Sequence, residues 1–157
     1  MTTHAPSDPT SLEARVLRLE DLEEIRDVTA RYGHSVSRGF AGRDLDWEAF
    51  ANVFTDDAVW HSDFMKIHTE GREAIVENMH EQDKTIEASV HSFTNPVIDL
   101  AGDAATGSWV MPIGASHGGS NRSVFLCADF DYRRTAQGWR IAKADVTFAA
   151  ALVVGGH

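Results

Sequence analysis

Two side chains in this sequence have the chemistry to move a proton in apolar surroundings. Tyr32 falls on a run of apolar residues spaced by three and four, so its phenol is expected on the buried side of a helix. A phenol there donates a hydrogen bond to a carbonyl oxygen and stabilises the oxyanion as it forms. The competing role is a core tyrosine whose hydroxyl meets a backbone carbonyl. His91 opens a segment of β character, and an imidazole with a pKa of ~6.5 takes and returns a proton at neutral pH. Its competing role is structural, with the ring nitrogens satisfied by neighbours. His61, Asp63 and His68 flank a Phe64-Met65-Lys66-Ile67 loop and form a set of metal-ligand types, but their spacing fits no zinc signature, so no metal and no cofactor is expected. His34 points to a different helix face from Tyr32. His80 is placed to meet the C-terminal carbonyls of its helix, and His117 lies in an exposed turn.

The elements that must position these groups follow from the spacing of apolar residues. After Ser11, a good N-cap, Leu12, Val16, Leu19, Leu22, Ile25, Val28, Tyr32 and Val36 make one long helical stripe, with a bend expected near Asp21. The Gly39-Phe40-Ala41-Gly42 turn ends it. Trp47, Phe50, Ala51 and Phe54 give a second, shorter helix, a strand is expected over Ala58 to Ser62, and a third helix over Arg72 to Glu81. After residue 88 the character becomes β: Val90 to Leu100, Gly107 to Ser116, Ser123 to Arg134 and Trp139 to Phe148 are rich in β-branched and aromatic residues and parted by turn residues. Helices first and strands last argue for an α+β fold with an antiparallel meander rather than for βαβ units.

The chain has 157 residues, 43% hydrophobic and 24% charged, which suits one globular domain spanning 11–150 between a flexible N-terminus, 1–10, and a C-terminal tail, 151–157. A net charge of -10 disfavours nucleic acid and anionic membranes as partners, since both demand clustered Lys and Arg. The excess is concentrated in residues 41–90, with 12 Asp and Glu against 4 Lys and Arg, and reads as a solvated acidic face. Cys127 stands alone in an apolar run, so it is expected as a buried structural thiol. No stretch approaches the ~20 apolar residues of a membrane span, and the opening MTTHAPSDPT lacks a signal pattern, so a cytoplasmic location is expected.

Glu24-Ile-Arg-Asp-Val-Thr-Ala-Arg-Tyr32, Phe54-Thr-Asp-Asp-Ala-Val-Trp60, Glu70-Gly-Arg-Glu-Ala-Ile75, His91-Ser-Phe-Thr-Asn-Pro96 and Gly138-Trp-Arg-Ile141 occur in the order and spacing of the SnoaL-like branch of the NTF2-like superfamily, which this chain resembles. The resemblance implies a half-open cone, a curved antiparallel sheet packed on about three N-terminal helices, with a pocket for a small hydrophobic molecule. Its members include ketosteroid isomerases, scytalone and bile-acid dehydratases, a dehydrochlorinase, polyketide cyclases, epoxide hydrolases and silent binding modules, so fold does not settle function. The resemblance gives Tyr32 a pocket position and His91 that of a general base. It also shows where acids are missing. The position of the dehydrochlorinase's orienting aspartate is Arg31, that of scytalone dehydratase's aspartate is Ser37, and other family acids fall at Ile113 and Ala128. Asp63 and Asp129 are each one residue from a family acid position, and a shift of one on a strand turns the side chain to the other face.

Alternation supplies the expected pocket lining. Trp109, Met111 and Ile113, with Leu126, Ala128 and Phe130, lie on apolar faces, while Asp129, Asp131 and Arg133 share the opposite one. With Trp60, Phe93 and Phe148 they suit a flat or alicyclic hydrophobic molecule, although a sealed core would be written in the same pattern. The expected activity is a cofactor-independent lyase, isomerase or cyclase with His91 as base and Tyr32 as oxyanion donor. The alternative is a non-catalytic ligand-binding module. The resemblance further implies a homodimer or homotrimer.

Overall fold

The computed structural model describes residues 11–153, so the expectations for residues 1–10 and for the end of the tail lie outside the described residues. In order, α1 is Leu12–Ser35, α2 Trp47–Asn52, β1 Phe54–Ser62, β2 Ile67–Glu70, α3 Arg72–Asp83, β3 Ala88–His91, β4 Thr94–Ala101, β5 Ala104–His117, β6 Ser120–Thr135 and β7 Gly138–Val153. One seven-stranded sheet runs β2-β1-β7-β6-β5-β3, with β4 also paired to β5, and it does not close on itself. All pairings are antiparallel except β1 with β7, which is parallel, so the sheet is mixed rather than a pure meander. Register shifts at Phe54/Val59, Thr94/Val97, Phe125/Leu126 and Asp131/Tyr132 mark bulges, and bulges bend and twist a strand, which curves the sheet around the helices.

Helix α1 starts where Ser11 accepts a hydrogen bond from the Ala14 amide at 3.1 Å, and it continues unbroken past Asp21. Asp21 anchors the helix. Its carboxylate takes two bonds of 2.7 Å from Arg134 and one of 3.0 Å from the Trp139 indole, while Glu24 accepts from the Trp139 amide at 3.0 Å. These contacts pin mid-helix to the β6–β7 hairpin, and the Arg134 guanidinium holds the Asp21 carboxyl below the usual carboxylate range. From there the stripe divides. Ile25, Val28 and Tyr32 are buried, whereas Leu12, Val16 and Leu19 are exposed because the first turns extend beyond the sheet.

The Phe64-Met65-Lys66-Ile67 loop is a tight turn whose last residue opens β2, which pairs antiparallel with β1 from Val59–Glu70 to Ser62–Ile67. The expected single strand over 90–100 is two, β3 and β4, both on β5. His91 ends β3 where it was expected to open a strand. Residues 151 and 152, expected in the tail, extend β7 against β6. Cys127 is exposed, because inside-outside alternation along β6 buries Leu126, Ala128 and Phe130 and turns Cys127 and Asp129 outward. Among the described residues no helix is long and apolar enough to cross a membrane.

The chain leaves α1 by a turn that brings Gly39 against β3. Gly39 has φ of +77°, and a Cβ on it would stand 2.7 Å from the Ala88 Cβ. Left-handed backbone and contact both require glycine there. Gly39→Ala is expected to lower stability by about 1–3 kcal/mol in urea unfolding; an unchanged midpoint would show that the turn and β3 do not press on each other.

Candidate active site

Past Gly33, α1 runs directly over the end of β3. A Cβ on Gly33 would meet the His91 carbonyl oxygen at 3.0 Å and the Phe93 ring at 3.3 Å, so the small residue sets the closeness of helix and strand. Two buried serines fasten the contact. Ser37 donates to the Gly33 carbonyl at 2.6 Å and accepts the His91 amide at 2.9 Å, and Ser89 donates to the Val36 carbonyl at 3.1 Å. Ser37, which occupies a family acid position, therefore fixes the backbone of His91.

Below this junction lies a cavity of about 210 Å³, walled by α1, α2, α3, β3 and β5. Tyr32, His91 and Ile113 line it, as sequence suggested. Val36, Trp47, Met65, Met79 and Ile86 complete an apolar wall, and Gln82, Asp83 and Ser89 add polar groups. Trp47 had been legible only as the apolar start of a short helix. Asp83 gave no signal at all, since an acid at a helix end reads as solvated surface.

Burial sets the protonation of the site. Tyr32 is 4% exposed, and desolvation pushes its phenol up to about 12, opposed by the hydrogen bond from Trp60, so it keeps its proton at neutral pH. Trp60 Nε1 donates to the Tyr32 oxygen at 3.1 Å, and among the described residues nothing accepts the Tyr32 proton. The contrast with Tyr132 is instructive. Trp109 Nε1 donates to the Tyr132 hydroxyl at 2.9 Å, that hydroxyl meets Thr29 Oγ1 at 2.7 Å, and Thr29 donates to the Ile25 carbonyl at 2.8 Å. Because the Thr29 proton goes to Ile25, Tyr132 must be the donor to Thr29, and the chain is closed. One buried tyrosine has spent its proton and the other has not.

His91 is neutral at pH 7: desolvation lowers it to about 4, against the opposing pull of the Val36 carbonyl. Its Nδ1 is buried and unpaired. Burial also holds the Asp83 carboxyl above its usual range, with Arg38 acting in the opposite direction.

The remaining expected pocket residues distribute differently. Phe93 and Phe130 pack on the Tyr32 ring at centroid distances of 5.3 and 5.8 Å, and Phe50 and Phe54 do the same at 5.1 and 5.8 Å. Trp60 supports Tyr32 from behind. Met111, Leu126 and Ala128 are core residues, at 3%, 4% and 0% exposure, outside the cavity wall. Trp109 and Phe93 border a second crevice between α1 and β4, which shares only His91 with the first. Phe148, expected in the pocket, lies outside it: it is 45% exposed and packs on Phe64 at 5.6 Å, since α1 meets β7 at Trp139 and does not cover its far end.

The charged candidates stay outside. Arg31 pairs with Asp27 at 2.7 Å on the exposed side of α1 and lines a different crevice beside Trp139, so it does not act on His91. Asp63 binds His61 at 3.2 Å on the surface, and Asp129 accepts from Ser108 on the outer sheet face. The His61 and His68 rings are 5.5 Å apart, but His68 turns to Glu70 at 3.1 Å. Among the described residues no three His, Cys, Asp or Glu side chains are grouped to hold a metal. His80 packs edge-on against Trp47 at 5.2 Å.

A SnoaL-like domain model matches residues 17–145. Among solved structures, an NTF2-like protein with a cystatin-like fold from Novosphingobium aromaticivorans is 26% identical, with a TM-score of 0.73 over 92% of each chain. A type 3 hexachlorocyclohexane dehydrochlorinase from Novosphingobium barchaimii is 16% identical, with a TM-score of 0.79 over 91% of this chain and 96% of that one. These likenesses establish an NTF2-like fold. No curated protein sequence matches the chain.

The low basicity of His91 has a measurable consequence. Its folded value, about 4, lies below the unfolded value of 6.5, so the unfolded chain binds the extra proton between them and stability falls as pH drops through that window. The loss approaches about 3 kcal/mol at the lower end. Urea unfolding at pH 7 and pH 4.5 is expected to show His91→Gln losing less stability than wild type; equal losses would place the imidazole in solvent.

Proposed function

Because the chain belongs to the SnoaL-like family, we propose that it is a cofactor-independent lyase, isomerase or cyclase that moves a proton beside a carbonyl or leaving group of a small apolar molecule. The observation that carries this reading is a buried phenol whose proton has no acceptor among the described residues and a half-buried neutral imidazole, both on the wall of one cavity.

In this mechanism the substrate carbonyl accepts the Tyr32 proton as a hydrogen bond. His91 then removes a proton from the adjacent carbon, and the electron pair left behind moves to the carbonyl oxygen. The enolate oxygen is stabilised by Tyr32, whose donor strength is raised by the Trp60 indole behind it. A base near pKa 4 is weak in isolation. It is weak because burial disfavours the lone imidazolium, and a developing oxyanion in the same chamber offsets that penalty. The proton is returned to another carbon for isomerisation or leaves with an expelled group for elimination. Phe93 and Phe130 hold the Tyr32 ring in place, and Trp47, Met79 and Ile113 would contact the substrate. An apolar cavity of ~150 Å³ accepts benzene, so about 210 Å³ favours one substituted ring over a four-ring steroid.

Exchange of α-protons of one-ring ketones in heavy water, followed by NMR, tests the chemistry without a known substrate. Wild type is expected to accelerate exchange of at least one such ketone, His91→Gln to slow it by about 10²–10⁴-fold, and Tyr32→Phe by about 10²–10³-fold. The same low basicity of His91, with no acid oriented toward its Nδ1, favours the second reading, a binding module. Saturable ketone binding with no exchange in wild type would select it.

The assembly proposed is a homodimer or homotrimer, supported by Val97, Val110 and Leu152 exposed on the sheet and Leu12, Val16 and Leu19 exposed on α1. Size-exclusion chromatography with light scattering is expected to give two or three times the 17.3 kDa chain mass; a monomer at micromolar concentration would refute it.

A further inference from the structure

The second crevice, about 550 Å³ between α1 and the β3–β4 junction, has no part in the proton-transfer reading. Its charge is unlike that of the chain. Arg26, His34 and Arg43 line it, and no Asp or Glu does. Two other hollows are mixed in sign: Glu24 and Asp27 stand with Arg31 and Arg140 beside Trp139, and Asp56, Glu70 and Glu73 stand with Arg72 at the start of α3. In a chain of net charge -10, a wall whose charged groups are all basic is a local reversal of sign.

Local structure sets these groups on one side of the crevice. Arg26, Ala30, Gly33 and His34 share a face of α1, and the small Ala30 and Gly33 leave the space between the two longer side chains open. Arg43 comes from the turn after α1. There the Gly39 amide donates to the Arg43 carbonyl at 3.1 Å and the Arg43 amide to the Phe40 carbonyl at 2.9 Å, while Arg38 and Ser89 exchange two backbone bonds of 2.9 Å that tie the turn to β3. The Arg43 guanidinium stands 5.9 Å from the centre of the Phe40 ring. All three basic side chains are exposed, so their N–H groups are open to a ligand. Among the described residues neither Arg43 nor His34 makes an ion pair, and Arg26 meets only Glu23, at 3.6 Å, outside the wall. Asp44, next to Arg43 in the chain, is turned to the Leu45 amide at 2.8 Å.

The other side is apolar. Phe40, Val90, Phe93, Pro96 and Trp109 form it, with Phe93 edge-on to Trp109 at 6.1 Å. Its remaining polar groups are already spent, since Ser37 bonds to Gly33 and His91 and the Trp109 indole donates to Tyr132. We propose that this crevice binds a flat aromatic carboxylate, its ring against Phe40, Phe93 and Pro96 and its charge against Arg26, His34 and Arg43. Guanidinium groups match carboxylates in both geometry and sign, and aromatic rings pack favourably edge-on or offset against one another. This site stands apart from the roles given to Tyr32 and His91 and holds whether or not the first cavity is catalytic.

Calorimetric titration of the full chain with 2-naphthoate, with the neutral 2-naphthylmethanol and with inorganic phosphate tests the proposal, and amide NMR shifts locate what binds. Wild type is expected to bind 2-naphthoate at least about tenfold more tightly than either control, with shifts concentrated at 26–34, 40–43 and 90–96. Higher salt is expected to weaken 2-naphthoate several-fold and to leave the alcohol unchanged. The double variant Arg26→Gln, Arg43→Gln alters two exposed side chains and is expected to keep its melting temperature while binding the acid no better than the alcohol. Should the double variant fail to fold, Arg43→Gln alone serves, with a several-fold loss expected. No binding of 2-naphthoate, equal affinity for the alcohol or for phosphate, an undiminished preference in the folded variant, or shifts centred on Met79, Gln82 and Ile113 of the first cavity overturns the proposal.

Discussion

The burial of the second half of α1 across the inner face of the curved sheet is the contact on which the other features rest. It encloses Tyr32 among Phe50, Phe54, Phe93 and Phe130, each pair with ring centroids 5.1–5.8 Å apart. Such pairs add about 0.5–1.5 kcal/mol each beyond the area they remove from water. Four partners drawn from α2, β1, the β3–β4 junction and β6 tie the helix to every layer of the fold. The Asp21 contacts to Arg134 and Trp139 fix how far along the sheet the helix lies, and through that the position of Tyr32.

Once the helix is seated, the polar groups it carries inward must find partners or remain in reserve. Thr29 and Tyr132 close a chain that begins at Trp109 and ends on the Ile25 carbonyl. Tyr32 takes the Trp60 indole proton and passes nothing on. Leaving a buried polar group unsatisfied costs about 1–3 kcal/mol, so His91 Nδ1 and Asp83 Oδ2 are local departures from optimal stability, and both residues line the chamber that holds Tyr32. Perturbed titratable groups cluster in this way at functional sites. The surface ion pairs, by contrast, are exposed and salt-screened, and contribute little beyond solubility.

The same docking explains why an imidazole on a strand loses its basicity. Gly33 allows α1 to touch the His91 carbonyl, and Ser37 ties the His91 amide to the helix end. The ring is thereby held where burial disfavours its cation. Arg31, which in sequence stood where an orienting acid would be, faces solvent on the far side of the helix and has no part in this. The site differs from the expected one less by substitution of one charge for another than by the entry of a different acid, Asp83, from α3.

The helices and the alternation on β5 and β6 were legible in the sequence because periodicities of 3.6 and 2 are local properties of the chain, and the family through the resemblance of its motifs. The resemblance gave Tyr32 and His91 pocket positions one by one, and the folded chain sets both on the wall of one cavity. The strand β2, the parallel match of β1 to β7 and the exposure of Phe148 and of the first half of α1 were decided by tertiary structure alone. They depend on where one element ends relative to another, and apolar spacing carries no such information. Whether a tyrosine's proton is spent, whether a histidine is basic and whether an aspartate at a helix end is solvated depend likewise on neighbours from distant segments. The sequence by itself determined which groups could do chemistry; the packing of α1 and α3 on the sheet decided which of them are buried, unpaired and together.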